Sequence, residues 1–346
     1  MVAMPPYNRI QGDCFVGYAS AGLFAGVDFG GTKIAVVVAD AQGNIAAEAV
    51  IPTLAEDGPA QAVDRTCRLL DNLCGQHSLE ILAIGVGLPG LVDREAGVIV
   101  FLPNLPVEWR GFPIAAAFRS HSQRPVSLSN DARMAALGEY AFGNASASRD
   151  MLFVTVGTGI GGGLVLDGKL RLGAFGAAGE IGHHTILPHG APCSCGSRGC
   201  LETLVSGPAL AAAGRALIAE GHAPKLNELV AGDPAKVTAT QMATAAANGD
   251  TAVAEAIRQA AEYLGVGVAN AVTISAVRNV VIGGGLSVLG DLLLEPVRRE
   301  VRERVRMFPS EVVEVNCSVL GEKAGALGGV ALAIEEYKLI PSKTLA

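Results

Sequence analysis

Residues 179–202 read Gly-Glu-Ile-Gly-His-His-Thr-Ile-Leu-Pro-His-Gly-Ala-Pro-Cys-Ser-Cys-Gly-Ser-Arg-Gly-Cys-Leu-Glu. This stretch holds three of the seven cysteines and three of the six histidines of the chain, namely Cys193, Cys195 and Cys200 with His183, His184 and His189. Three thiolates and one imidazole form the closed tetrahedral set that is usual for structural zinc, with no position left for a catalytic water. We therefore predict a structural Zn²⁺ that folds this loop and holds the acidic residues Glu180 and Glu202 at its two ends.

A disulfide is the alternative use of these cysteines. A bond between Cys193 and Cys195 would be strained, because only one residue separates them. Pairing of either one with Cys200 would suit a secreted protein, and no feature of the sequence indicates secretion. Spacing alone leaves the choice of the histidine ligand open.

Composition limits the class of protein. A chain of 346 residues is long enough for about two domains. Half of it is apolar and 17% is charged, with 44 glycines, which is typical of a soluble α/β protein. The net charge of -7 argues against a nucleic-acid surface, and no uninterrupted apolar run reaches the length of a membrane span. A metal cluster plus scattered cysteines indicates the cytoplasm, and we expect residues 1–22 to form a flexible leader.

A pattern of strands and glycine turns occurs twice along the chain. Apolar, β-branched runs at Leu23–Phe29, 34–39 and 45–50 are separated by turn residues, and a similar start follows at Met151–Val156 and 162–166. Alternating helices and strands follow each start, including a predicted helix over 288–305 and a predicted strand over 312–319. The repetition predicts two duplicated α/β lobes.

Two of the glycine turns are candidate phosphate sites. In Asp28-Phe29-Gly30-Gly31-Thr32-Lys33 the glycines let backbone N–H groups approach an anion, and Asp28 could hold Mg²⁺ through water. A Gly-Gly hairpin is equally consistent with a plain turn. Its repetition at Gly157-Thr158-Gly159-Ile160-Gly161-Gly162 favours phosphate binding.

Two competing motifs fail on context. The second turn also spells G-x-G-x-x-G, but a dinucleotide site needs a helix directly after the glycines, and a strand follows here. Asp28-Phe29-Gly30 matches a protein-kinase motif, yet no H-R-D loop accompanies it. A third cluster, Gly283-Gly284-Gly285, lies between a strand and a helix and could be a simple turn.

Asn130 and Asp131 follow a predicted strand over 126–129. Open α/β sheets bind ligands at the carboxyl ends of their strands, which makes this pair a candidate catalytic site. Asn and Asp are also preferred helix N-caps, and a helix is predicted to start here. The residues alone leave both roles open.

The pattern Gly-Glu-Ile-Gly-His, followed by Cys-x-Cys-Gly-x-x-Gly-Cys-Leu-Glu, resembles the signature of the ROK family (repressors, open reading frames and sugar kinases). The likeness extends from about Gly26 to the C-terminus. It implies the two-lobed, actin-like or hexokinase-like α/β ATPase fold, with lobes over 23–142 and 143–322 and a last helix, 323–346, that packs back on the first lobe. It also implies that His183 is the zinc ligand and that Asp131 is the catalytic base, although Ser129 replaces an acidic residue common in the family motif.

The resemblance further implies a sugar site and an ATP·Mg²⁺ site. Sugar-binding positions are Gly90, Asn104, Asn130, Asp131, Glu180, His183 and Glu202. Nucleotide-binding positions are Asp28, Gly30, Gly31, Thr32, Lys33, Gly157, Thr158, Gly159, Gly283, Gly284 and Gly285, the last three against the nucleoside.

These features predict a kinase that transfers the γ-phosphate of ATP to the 6-hydroxyl of a hexose. Glucose is the first choice, because the segment 102–106, with Trp109 nearby, resembles the glucokinase members; Trp109 could be a sugar platform or a packing residue. The alternatives are a kinase for N-acetylglucosamine or N-acetylmannosamine and a non-catalytic sugar sensor. Repressors of the family carry a helix-turn-helix domain ahead of the first lobe, and about two dozen residues precede Val27 here. The residues leave the oligomeric state open, and we expect a homodimer.

Overall fold

The computed structural model describes residues 22–102, 105–143 and 148–339. These residues form two α/β lobes, each built on one five-stranded sheet. No helix within the described ranges combines the length and the apolar character that a membrane crossing requires.

The first lobe contains seven strands and three helices in chain order, and two of the strands form a separate small hairpin. The strands are β1 (Leu23–Phe29), β2 (Lys33–Ala39), β3 (Ile45–Pro52), β4 (Ile81–Leu88), β5 (Leu91–Asp93), β6 (Val98–Phe101) and β7 (Val126–Asn130). The helices are α1 (Pro59–His77), α2 (Ile114–Ser122) and α3 (Asp131–Phe142).

The second lobe contains five strands and most of the remaining helices. Its strands are β8 (Met151–Val156), β9 (Ile160–Leu166), β10 (Lys169–Arg171), β11 (Asn279–Gly283) and β12 (Glu314–Cys317). The helices are α4 (Glu202–Val205), α5 (Gly207–Ala219), α6 (Pro224–Leu229), α7 (Ala239–Ala247), α8 (Thr251–Ser275) and α9 (Asp291–Arg304), followed by α10 (Ala324–Leu339).

Both sheets have the same topology. Their strand orders are β3-β2-β1-β4-β7 and β10-β9-β8-β11-β12. In each sheet the first three strands form an antiparallel meander and the last three run parallel. The turns after β1 and β8 therefore occupy equivalent places, as the repeated glycine pattern predicted.

The hydrophobic core of the first lobe lies between its sheet and the helices α1 and α2. Val27, Ile84 and Phe118 are fully buried there. Helix α10 covers the opposite face, with Ala326 and Val330 fully buried. Because the central parallel strands are covered on both faces, their sequences are nearly continuous apolar runs.

Helix α10 approaches the first sheet at backbone distance. A Cβ atom added to Gly85 would lie 2.0 Å from the carbonyl oxygen of Gly329, and one added to Gly26 would lie 1.8 Å from that of Ala326. Glycine is therefore required on these strands, because any side chain would push the helix away. The close approach brings the first turn of α10 to the edge of the sheet where β1 ends.

Two expectations differ from the structure, and one open alternative is decided. The predicted helix over 288–305 is divided into a 3₁₀ helix, Gly285–Leu289, and α9, because Gly290 adopts a φ of +55° between them. The predicted strand over 312–319 is shorter, since residues 310–312 form a 3₁₀ turn before β12. Trp109 is fully buried against the edge of the Phe29 ring, and its Nε1 donates to the carbonyl of Ala55 at 3.1 Å. It is a packing residue and not a sugar platform.

Candidate active site

Three parallel strands of the first sheet end at the same edge. The register of β1, β4 and β7 places Asp28 beside Gly87 and Leu88 beside Asn130. Asp28 and Asp131, the first residue of α3, therefore lie at one edge on either side of β4. This carboxyl edge is where open α/β sheets bind ligands.

Asn130 is the N-cap of α3. Its Oδ1 accepts hydrogen bonds from the backbone N–H groups of Ala132, at 3.0 Å, and Arg133, at 3.2 Å. Its Nδ2 donates to the carbonyl of Gly90 at 2.9 Å. The capping role is therefore present, and it brings Gly90 and Asn130 together next to Asp131.

A backbone hydrogen bond orients the carboxylate of Asp131 at the start of α3. Its Oδ1 accepts from the backbone N–H of Ala132 at 2.7 Å. Burial raises the pKa of Asp131 from 3.8 to about 6, with a smaller contribution from the charge of Glu180, while the Ala132 hydrogen bond and the Arg133 charge oppose the rise. A carboxylate with a pKa in this range is suited to accept a proton near neutral pH.

Asp28 lies against the first turn of α10. A Cβ atom added to Gly325 would lie 2.3 Å from its Oδ2. Burial raises the pKa of Asp28 to about 7, the charge of Asp131 adds to the rise, and Lys33 opposes it. A carboxyl group whose ionised form is disfavoured in this way is stabilised by a nearby cation, so this position suits a hydrated Mg²⁺.

Neighbouring residues donate hydrogen bonds to the carbonyl groups of both glycine hairpins. Thr53 donates its backbone N–H to the carbonyl of Thr32 at 2.9 Å and its hydroxyl to the carbonyl of Gly30 at 2.7 Å. In the second turn, the N–H of Gly207 donates to the carbonyl of Gly157 at 2.7 Å. Within the described parts of the chain, four backbone N–H groups in these turns have no partner, those of Gly31, Thr32, Thr158 and Gly159. Backbone N–H groups that are free at a glycine turn are suited to bind an anion.

The third glycine cluster lies directly beside the second turn. Gly283 ends β11, and Gly284 has a φ of +87°. A Cβ atom on Gly284 would lie 2.5 Å from the carbonyl oxygen of Val156, the last residue of β8. Lys33, in contrast, forms an exposed ion pair of 2.7 Å with Glu322.

The four predicted metal ligands converge. The ligand atoms of His183, Cys193, Cys195 and Cys200 all lie within 4.8 Å of one another. Cys193 Sγ is 3.6 Å from His183 Nδ1, and Cys195 Sγ is 3.7 Å from Cys200 Sγ. A tetrahedral zinc with bonds of about 2.3 Å separates its sulfur ligands by about 3.8 Å, so this donor set fits Zn²⁺ and is too open for a disulfide.

The other two histidines of the loop lie outside this set. His184 Nδ1 is hydrogen-bonded to the carbonyl oxygen of Ile181, and the imidazole ring packs against Gly267 of α8. His189 is exposed. His183 is therefore the histidine that the structure places with the three cysteines.

The segment 180–202, which carries the four predicted metal ligands, is called the metal loop. Its two acidic ends, Glu180 and Glu202, contact different parts of the site. Glu202 Oε2 accepts from the backbone N–H of Ile160 at 2.8 Å, which joins the loop to the second glycine turn. Glu180 Oε1 accepts from Arg133 Nη2 at 2.6 Å, and its Oε2 lies 3.9 Å from Nε2 of His183. This loop thus connects the second glycine turn with helix α3.

Arg133 is the site residue that the sequence patterns did not reveal. Its side chain is 2% exposed and contacts Asn130, Ala178 and Glu180. A lone arginine in an otherwise apolar helical segment, two residues after Asp131, is a signal that could have indicated it. Asn104, which was expected to bind sugar, lies outside the described residues.

The duplicated sheets, the paired glycine turns and the metal loop together define the two-lobed, hexokinase-like class of α/β fold. The sequence model of the ROK family matches residues 24–336. The chain therefore belongs to the ROK family, as the sequence resemblance predicted.

Its relatives include both enzymes and repressors. A glucokinase of Streptomyces coelicolor is 37% identical over 317 residues, which cover 91% of this chain and 98% of that protein. The crystal structure of a ROK family glucokinase from Streptomyces griseus, in complex with glucose and AMPPNP, superposes with a TM-score of 0.78 at 34% identity and covers 91% of this chain and 100% of that one. A xylose repressor of Caldicellulosiruptor bescii is 32% identical over 327 residues, 92% of this chain and 80% of that protein.

Proposed function

We propose that the protein is an ATP-dependent sugar kinase that transfers the γ-phosphoryl group of ATP to the 6-hydroxyl of a hexose, with glucose as the preferred substrate. The observation that carries this proposal is the placement of Asp131, a carboxylate of raised pKa at the edge of the first sheet, between the glycine turns and the acidic ends of the metal loop. The similarity to glucokinases at 34–37% identity supports a sugar kinase.

Asp131 would act as the general base. The backbone N–H of Ala132 occupies Oδ1, so Oδ2 is the oxygen that faces a substrate hydroxyl. As the sugar O6 attacks the γ-phosphorus, its proton passes to Asp131 and ADP leaves with the electrons of the broken P–O bond. Such assistance contributes roughly 10²- to 10⁴-fold to the rate, and positioning and charge neutralisation supply most of the remainder.

The sugar would lie among Asn130, Glu180, His183 and Glu202. Glu180 offers Oε2 to a ring hydroxyl, because its Oε1 is bound to Arg133. Asn130 offers the second N–H of Nδ2, since the first one is bound to Gly90. Asn104 belongs to the same proposed set.

Two metal ions belong to the proposal. Mg²⁺ near Asp28 would neutralise charge on the phosphates that the N–H groups of the two glycine turns bind. Zn²⁺ on His183 and the three cysteines would hold the loop that carries Glu180 and Glu202, with no direct part in the chemistry.

Gly325→Ala tests the position of Asp28. The added methyl group would overlap the Asp28 carboxylate, since the Cβ would lie 2.3 Å from Oδ2 and 2.6 Å from Cγ, so the carboxylate must shift or the helix must move away from it. We expect kcat to fall by about 10²-fold, the usual effect of displacing a catalytic group by about 1 Å. Gly75→Ala on α1 is the matched control, because a Cβ there meets nothing within 4 Å. Unchanged kcat in Gly325→Ala would remove Asp28 from the site.

The pH profile tests Asp131 in the native protein. A base must be unprotonated, and its pKa is raised to about 6, so kcat/KM should fall about tenfold per pH unit below that value and level off above it. Stability should change in the opposite direction. The folded-state pKa values of Asp28 and Asp131 lie above 3.8, so the folded state binds their protons more tightly than the unfolded chain does. The contribution of these two groups to the free energy of unfolding is therefore greatest at low pH and decreases as the pH rises to about 7. A rate that rises toward pH 5 would contradict the assignment.

A coupled assay with ATP·Mg²⁺ and a panel of hexoses tests the function itself. Turnover of glucose above the other sugars supports the proposal, whereas preference for N-acetylglucosamine or N-acetylmannosamine would change the substrate. The similarity to a xylose repressor makes a non-catalytic sugar sensor the second candidate. Sugar binding by calorimetry without turnover of any sugar would identify the sensor.

A homodimer and a cytoplasmic location complete the proposal. Sedimentation equilibrium of the purified full-length chain tests the first of these, and fractionation of the source cells tests the second. A monomer at micromolar concentration would remove the dimer from the proposal.

A further inference from the structure

Arg133 connects two separate segments of the site from a buried position. It lies in the first turn of α3 and is 2% exposed. Its Nη2 donates to Glu180 Oε1 at 2.6 Å, its Nε to the carbonyl of Ala178 at 3.0 Å, and its Nη1 to Asn130 Oδ1 at 2.8 Å. Every nitrogen of the guanidinium group therefore has a partner, and the partners lie on two segments, the N-cap of α3 and residues 178–180.

A buried charge of this kind is costly unless it is paired and hydrogen-bonded. Hydrophobic residues of similar volume often replace buried ion pairs without loss of stability, so the pair is weak evidence for a stabilising role. The planar guanidinium group, in contrast, fixes the directions of its partners, which a flexible ammonium group cannot do. The geometry therefore indicates orientation of side chains as the role of Arg133.

We propose that Arg133 is a positioning residue for the sugar, which orients Glu180 and Asn130 without contacting the substrate itself. This inference rests on the proposed function, because it takes Glu180 and Asn130 as groups that bind the sugar. Their Oε1 and Oδ1 atoms are committed to Arg133, so each side chain can present only one orientation to a ligand.

The same contacts form a continuous hydrogen-bonded chain across the site. It runs from the Gly90 carbonyl to Nδ2 of Asn130, from Oδ1 of Asn130 to Nη1 of Arg133, and from Nη2 of Arg133 to Glu180. The open oxygen of Glu180 then faces His183 of the metal set at 3.9 Å. Arg133 is the member that joins the N-terminus of α3, which carries the proposed base, to the loop that carries the acidic sugar ligand.

Arg133→Met and Arg133→Lys test this role. In Arg133→Met we expect the KM for sugar to rise by about 10²-fold, since a group displaced by about 1 Å typically loses that much, with the KM for ATP unchanged and a smaller loss in kcat. Arg133→Lys keeps the charge and should fold where the Met variant fails, and we expect it to recover only part of the sugar affinity. Arg298→Met is the matched control. Arg298 lies on α9, and its side chain also donates hydrogen bonds to a backbone carbonyl and to a glutamate.

A double-mutant cycle distinguishes positioning from a merely structural role. If Arg133 acts through Glu180 and Asn130, then Arg133→Lys should raise the KM for sugar less in the Glu180→Gln background than in the native protein, because only its effect through Asn130 remains. Additive effects, or equal increases in the KM values for sugar and ATP, would overturn the inference.

The failure of the proposed function would be seen separately, in the native protein. If the native protein binds sugar without turnover, the proposed kinase is wrong, and the same cycle is then measured as the calorimetric Kd for sugar. If the native protein binds no sugar from the panel, both proposals are overturned.

Discussion

Replacement of Asp131 by Asn should lower kcat by about 10²- to 10⁴-fold, the range expected when a general base is lost. Asparagine keeps the shape of the side chain and can still accept the hydrogen bond from the N–H of Ala132, so the start of α3 should stay intact. The KM or Kd for sugar should change little, because Asn130 and Glu180 are the residues that we propose to hold the sugar. Steady-state kinetics combined with calorimetry separates the two effects.

The same variant should be more stable than the native protein at neutral pH. Since the pKa of Asp131 is raised to about 6, the ionised form at pH 7 costs the fold free energy, of the order of 1–3 kcal/mol, and the neutral amide removes this cost. Asp64→Asn, on the surface helix α1, is the control and should change neither property. If Asp131→Asn retained turnover within tenfold of the native rate, another residue would have to be the base.

Replacement of Cys195 by Ser should remove the metal and the sugar affinity together. One of four converging ligands is lost, and the loop between Glu180 and Glu202 then loses the tetrahedral constraint on its backbone. We expect a zinc content near zero by elemental analysis and a weakening of sugar binding by about 10- to 100-fold, the range found when groups that support a metal site are altered.

Cys317→Ser on β12 is the matched control, because Cys317 lies outside the metal set. It should keep both zinc and sugar affinity. Removal of zinc from the native protein with a chelator should reproduce the Cys195→Ser result, and added Zn²⁺ should reverse it. Native sugar affinity in metal-free protein would disprove the link between the metal loop and the substrate.

The sequence predicted the sheets better than the helices of the second lobe. The run Leu23–Phe29 is apolar and β-branched and ends at two glycines, so its pattern and its limits agree with β1. We expected one helix over 288–305, because the apolar spacing of Leu286, Leu289 and Leu293 continues across Gly290. Only the backbone conformation of Gly290 distinguishes one helix from two.

At the site, local motifs indicated the residues that lie on turns and at strand ends. The metal set could be predicted because its cysteines are close in sequence, and Asn130 with Asp131 because they follow a strand. Arg133 could not be assigned in this way, because its partners Ala178 and Glu180 lie 45 and 47 residues further along the chain. A contact of that range depends on how the two lobes fold against each other, which periodicity does not report.

The close backbone contact between α10 and the glycines of the first sheet has a consequence for biosynthesis. One face of β1 and β4 is covered by a helix that is translated only after the whole second lobe. During translation this apolar face stays open to solvent or to chaperones while roughly two hundred residues are added, at about 5–20 residues per second. The first lobe is therefore completed only after the second lobe has been translated, and truncation before residue 324 would leave the first lobe without this layer.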